Sequence, residues 1–204
     1  MRTLLLLIAA LALLGQTPVS KGKLPPAKNY KEFGSPNAPL TLELYTDYQC
    51  PMCRTFYMDV LPSVMSDYVA TGKVRLIHRD FPLPQHNYSK LAARYANAAG
   101  QLGHYDLVAN QIFKTQSEWE QNGNVDGEVA KVVPAGEMQK IRDLVKSDSH
   151  LDDTVTSDVA IANQDHLNQT PTMVIVNHGK RTKIDGFMPY TILKKYFDEL
   201  LAKG

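Results

Sequence analysis

Cysteine is scarce: the 204 residues hold two, Cys50 and Cys53. So few thiols exclude a framework of several disulfides, and they exclude a four-cysteine zinc site, which needs a second close pair. An excess of one charge is also missing. Lys and Arg total 22 against 21 Asp and Glu, for a formal net charge of +1, and like charges form no block. No nucleic-acid partner and no polybasic membrane contact are therefore expected. Tryptophan occurs once, at Trp119, and reads as a packing residue. No apolar run reaches the roughly 20 residues of a membrane-spanning helix. The six histidines, His78, His86, His104, His150, His166 and His178, are scattered. No two have ligand spacing with a third ligand in view, so no metal is expected and the histidines read as surface or capping residues.

What is present starts with Met1-Arg2-Thr3, an apolar run from Leu4 to Leu14, and Gly15-Gln16-Thr17-Pro18. This order is that of a secretory signal peptide over residues 1–20, or of an anchor if it stays uncleaved. Export implies a compartment that permits disulfides. Residues 21–37, rich in Pro, Gly and Lys, read as a linker. One domain follows over 38–204, with 44% hydrophobic residues in the chain to build its core.

The two cysteines sit in Cys50-Pro51-Met52-Cys53, after the strand pattern Leu40-Thr41-Leu42-Glu43-Leu44-Tyr45. Cys53, Phe56, Tyr57, Val60, Leu61, Val64 and Tyr68 repeat at helical spacing. Pro51 suits the first helical position, which leaves Cys50 at the helix N-terminus, where free N–H groups and the helix dipole favour a thiolate. Residues three apart share a helix face, so Cys53 can close a disulfide with Cys50. A structural disulfide and half of a metal site are the competing readings. A two-residue loop gives a disulfide little stabilising effect, and further ligands are lacking, so a redox pair is the expectation.

Pro62 should kink the helix, and Val74 to Phe81 reads as a second strand, parallel to the first through a right-handed crossover. Helical patterns fill Tyr88 to about Leu167. Thr170-Pro171-Thr172 then precedes a strand at Met173–Val176, a turn at Asn177–Lys180, a strand at Arg181–Asp185 and a last helix from Pro189.

Tyr45-Thr46-Asp47-Tyr48-Gln49-Cys50-Pro51-Met52-Cys53, Leu91-Ala92-Ala93-Arg94 and Thr170-Pro171-Thr172 together resemble the DsbA-like thiol:disulfide oxidoreductases of the thioredoxin superfamily. The resemblance covers residues 38 to the end. It implies an α/β thioredoxin-like fold with a helical insertion, about residues 85–165, between the second strand and a cis-proline hairpin. It implies that Cys50 is the nucleophile, Cys53 the resolving cysteine, and Pro171 the cis-proline facing them. Substrate is then held around Pro51, Met52, Thr170 and Pro171. The implied function is an exported disulfide oxidase, a monomer with no cofactor beyond the Cys50–Cys53 disulfide. Its implied partners are exported substrate proteins and a quinone-linked membrane reoxidant of the DsbB or vitamin K epoxide reductase (VKOR) type. The alternatives are a reductase or isomerase, and a Cu(I)-binding chaperone.

Two departures stand out. Leu44 occupies the position where the family often carries a buried acid, while Glu43 falls on the opposite strand face and reads as solvated. Met52 stands where strongly oxidising relatives carry His, so no side-chain cation is expected beside Cys50, with Arg54 the one substitute nearby. Met52→His is accordingly expected to lower the Cys50 pKa, read as thiolate absorbance against pH. An unchanged or higher value defeats the electrostatic account.

Overall fold

The computed structural model describes residues 29–203. The signal-peptide reading of residues 1–20 lies outside them, as do residues 21–28 of the presumed linker. Five strands form one sheet in the order β1-β3-β2-β4-β5. They are β1 (Glu32–Phe33), β2 (Leu40–Thr46), β3 (Val74–Asp80), β4 (Thr172–Asn177) and β5 (Lys180–Asp185). The β2 and β3 strands are parallel, pairing Leu40 with Val74 through to Thr46 with Asp80. The crossover between them is helix α1, residues 51–69. Strand β4 is antiparallel to β2, and β5 to β4. The β4–β5 turn places His178 at φ 47° and Gly179 at φ 78°, the two positive angles of a type I′ hairpin turn.

Pro62 lies inside α1 and cannot donate to the ladder. The helix does not break there but widens, with π-helical turns at Phe56–Val60 and Met65–Val69 flanking α-helical Leu61–Val64. Between β3 and β4 come α2 (Ser89–Gln101), α3 (Tyr105–Lys114), α4 (Gln116–Trp119), α5 (Val125–Val129), α6 (Ala135–Ser147) and α7 (His150–Gln164). Helix α8 (Tyr190–Ala202) ends the domain. The expected helical insertion is thus present. It shares one core with the sheet: Phe113, Trp119, Val125 and Ile141 cluster with Leu42, Leu44, Phe56 and Val64. Trp119 is fully buried, and its indole N–H donates to the Ile112 carbonyl at 2.8 Å.

Two expectations need correction. The linker reading of 21–37 fails from Tyr30 onward. Strand β1 pairs antiparallel with β3, and a Cβ on Gly34, at φ +89°, would meet the Val74 carbonyl oxygen at 2.7 Å. Lys31 is buried, with its ammonium 2.9 Å from Asp80 and also bonded to Asp158. Proline and glycine marked irregular backbone correctly, but irregular backbone can still pack.

Glu43 is the second correction: it is buried, not solvated. Alternation does put it on the face away from Leu42 and Leu44, but that face is covered as well. Glu43 takes Arg181 at 2.8 Å, Arg79 at 3.5 Å and the Tyr45 hydroxyl at 3.1 Å. Arg79 also reaches Asp158 at 2.9 Å, and Asn97 donates to Asp80 at 2.8 Å. These contacts tie β1, β2, β3 and β5 to α2 and α7.

Removing one member of a buried ion pair strands its partner. Lys31→Met, which leaves Asp80 and Asp158 facing each other, is expected to cost about 3–5 kcal/mol of stability in urea unfolding. A loss under about 1 kcal/mol, the worth of an exposed pair, would return this segment to linker status.

Candidate redox site at the start of the first long helix

Strand β2 runs out at Thr46, and Asp47-Tyr48-Gln49 turns the chain into α1. Asp47 is fully buried and organises that turn. One carboxylate oxygen accepts the Gln49 N–H at 2.7 Å; the other accepts the Leu83 N–H at 2.7 Å and pairs with His86 at 2.8 Å. Cys50 is the residue that caps α1, with extended backbone at φ −76° and ψ 120°, and Pro51 follows inside the helix. Gln116 in α4, itself buried, donates to the carbonyls of Tyr48 at 2.7 Å and Cys50 at 3.2 Å. Gln49 donates to the Glu120 carbonyl at 3.0 Å. The insertion therefore clamps the turn from outside the sheet.

Both cysteines are free thiols. Their access differs: Cys50 keeps 7% of its surface exposed and Cys53 none. Cys50 Sγ lies 3.3 Å from the Thr170 carbonyl oxygen, and the Thr170–Pro171 peptide is cis. The Cys53 sulfur accepts the Asp47 N–H at 3.5 Å. Thr170 and Pro171, distant in sequence, thus reach the cysteine pair. Met52, 45% exposed, and exposed Pro51 lie on the solvent side of α1.

The two thiols are driven apart electrostatically. Cys50 is lowered from 9.0 to about 6, chiefly because the Cys53 thiol donates to it. Burial opposes this, and Thr170 and the Cys53 and Met52 backbone amides assist. The Thr170 hydroxyl, buried and otherwise without a partner among the described residues, is the group that can donate to a thiolate. Cys53 is pushed well above 9.0, first by burial and then by the same bond to Cys50. Arg54 is not part of this balance; it donates to the Phe113 carbonyl at 3.1 Å. Hydrogen bonds stabilise the thiolate where a side-chain cation is absent.

The thioredoxin family model matches residues 28–196. The chain belongs to the thioredoxin family. Probable disulfide bond formation protein D of Bacillus cereus is 36% identical over 52 residues, 26% of this chain and 24% of that protein. The Na(+)/H(+) antiporter NhaA 1 of Mycolicibacterium gilvum is 29% identical over 151 residues, 72% of this chain and 23% of that protein. Each match spans about a quarter of the relative's length. Among the described residues no helix is long and apolar enough to cross a membrane. The crystal structure of Wolbachia pipientis α-DsbA1 superimposes with a TM-score of 0.73 at 22% identity, covering 85% of this chain and 91% of that one. At that identity the likeness is one of fold, and the fold is the thioredoxin-like one with its helical insertion.

Sequence reasoning left Asp47, Gln116 and His78 out of the site region. Asp47 carried a local signal, because an Asp two residues before a turn amide forms an Asx turn. Gln116 carried none, since its partners are backbone carbonyls far along the chain. His78 is buried against Thr46, at 2.7 Å, and Tyr105, not on the surface. Burial lowers its pKa to about 4, so it is neutral.

The lowered Cys50 value fixes a pH dependence for the reduced protein. A thiol more acidic in the folded state stabilises that state when ionised. Stability of the reduced form is expected to rise from about pH 6 towards pH 9 and to fall as pH drops through 6. Denaturant unfolding against pH should show this slope in the reduced protein and not in Cys50→Ser. A slope that survives in Cys50→Ser belongs to another group.

Proposed function

We propose that the protein is an exported thiol–disulfide oxidoreductase that works as an oxidase on other proteins, with Cys50 and Cys53 as its redox pair. The observation that carries this reading is the split of the two thiols, one acidic and partly accessible, the other buried and proton-retaining. The relative named for disulfide bond formation supports it over the 52 residues it shares. Extracytoplasmic placement rests on the signal-like order of residues 1–20.

A substrate thiolate attacks Cys50 of the Cys50–Cys53 disulfide. The S–S bond breaks, a mixed disulfide forms at Cys50, and Cys53 leaves and takes up a proton. A second substrate thiolate attacks the substrate sulfur of the mixed disulfide and expels Cys50 as a thiolate. The substrate gains a disulfide and loses two electrons; the enzyme is left as the dithiol. A stabilised Cys50 thiolate is both a good leaving group and a stabilised reduced state, and a stabilised reduced state makes the disulfide form the stronger oxidant. Turnover then needs a reoxidant, which we assign to a quinone-linked membrane protein of the DsbB or VKOR type. In the bound state Pro51, Met52 and Thr170 hold the substrate chain, with Pro171 keeping the Thr170 carbonyl turned to the sulfur.

Run backwards, the same exchange reduces or isomerises, and the measured reduction potential assigns the direction. Cys53→Ala is expected to accumulate mixed disulfides at Cys50 in the native compartment, identified by mass spectrometry. Cys50→Ala should lose all oxidation of a reduced model protein. Stoichiometric Cu(I) binding with no exchange in the unaltered protein would overturn the enzyme reading in favour of a metal carrier.

A further inference from the structure

A cavity of about 350 Å³ opens between α1, the strands β1 and β3, and the start of α3. Neither cysteine lines it, nor do Thr170 and Pro171. Its walls are mostly apolar, with Phe33, Leu61, Met65, Leu76 and Leu107, and the exposed Asn110 adds a neutral amide. Leu107 is 44% exposed, one of three large apolar side chains left so open among the described residues. The polar pair at this cavity, His78 and Tyr105, is buried and bonded to each other, and His78 is uncharged. That pair offers a ligand neither charge nor a spare acceptor.

Asp106 differs. It lines the cavity, and among the described residues it makes no hydrogen bond and no ion pair. Its side chain is exposed, with partial desolvation raising its pKa; burial first, and then the Asp106 charge, raise the pKa of the Tyr57 phenol. An acid in the first turn of α3 is favoured by the helix dipole, but the dipole does not explain an apolar cavity beside it. A shallower trough of about 690 Å³ continues along α1 and shares Phe33, Pro62 and Met65 with the first. Ligand sites are commonly about 300–1,000 Å³, mainly apolar, with few polar groups. An anion would be repelled here, and a neutral apolar molecule would leave the Asp106 charge to water alone.

We propose that this cavity binds an apolar monocation, an alkyl or aryl chain ending in one ammonium group, with the chain against Leu61, Met65, Leu76 and Leu107 and the ammonium on Asp106. The trough along α1 takes the longer chains.

The test titrates the full chain with butyl-, hexyl- and octylammonium and with 1-hexanol, by calorimetry and by amide shifts in ¹H–¹⁵N spectra. Affinity should rise about fourfold per added methylene, the equivalent of about 0.8 kcal/mol per buried CH₂. Hexylammonium should bind about two- to fivefold tighter than hexanol, as an ion pair with an exposed carboxylate predicts, with shifts centred on Tyr57 and Leu107. Asp106→Asn should abolish the difference between amine and alcohol yet keep the chain-length slope. Leu107→Ser should weaken both ligands. Both substituted side chains are exposed, so the fold is not at risk. Equal binding of hexylammonium and hexanol by the unaltered protein, an amine preference that persists in Asp106→Asn, or shifts centred on Cys50 and Met52 would each overturn the proposal.

Discussion

Tyr45 of β2 lies opposite Thr172 of β4, and the chemistry of the cysteine pair depends on that register. It sets Thr170, two residues before Thr172, against Cys50, five residues beyond Tyr45. A slip of one residue would turn every β4 side chain to the other face of the sheet and carry the Thr170 carbonyl away from the sulfur. The register is held on both sides. Leu42 and Leu44 oppose Ile175 and Met173 within the main core, while Tyr45 and Val174 belong to the second cluster beneath α7.

The two faces of the sheet contribute differently. The face towards α1 packs Leu42, Leu44 and Leu76 beneath the helix that carries the cysteines, with His78 and Thr46 the polar side chains among them. The face towards α7 holds Glu43 and Arg79 against Asp158 around a small apolar patch, and Lys31 bridges Asp158 to Asp80 at the strand end. Burying so many charges is not by itself a gain in stability, because desolvation offsets much of the Coulomb attraction. Its consequence is geometric: strands from the beginning, middle and end of the chain meet one helix of the insertion. The C-terminal ends of β2 and β3, which lead into the site, are thereby held against the insertion.

The insertion also acts on the site directly. Gln116 and Glu120 engage the turn that presents Cys50, and Phe113 stacks on both Tyr48 and Tyr57 at centroid separations of 4.7 and 4.5 Å. The acidity of Cys50 is thus a property of an assembled pocket, and it comes without a histidine between the cysteines. Met52, the apolar residue at that position, is exposed, while hydrogen bonds from Cys53, Thr170 and the helix amides supply the stabilisation that a cation gives elsewhere.

Strand and helix order, the capping position of Cys50 and the i, i+3 placement of Cys53 were readable in the sequence. Each depends on local periodicity, on a proline at a helix start or on a two-residue spacing. Glu43 and Lys31 were misread for one reason: alternation and composition say which way a residue points, not what the fold later lays over it. The size of the split between the two thiols was beyond the sequence, because it needs the full burial of Cys53 under the fold and needs Thr170 to arrive from 120 residues away. The sequence by itself determined which residues could form a redox pair at a helix N-terminus. Which sulfur would be acidic was readable too, from the place of Cys50 at the helix start; only the tertiary structure decided that Cys53 would be sealed from water and that Thr170 would reach Cys50, because that burial and that contact are made by segments that local chemistry does not connect.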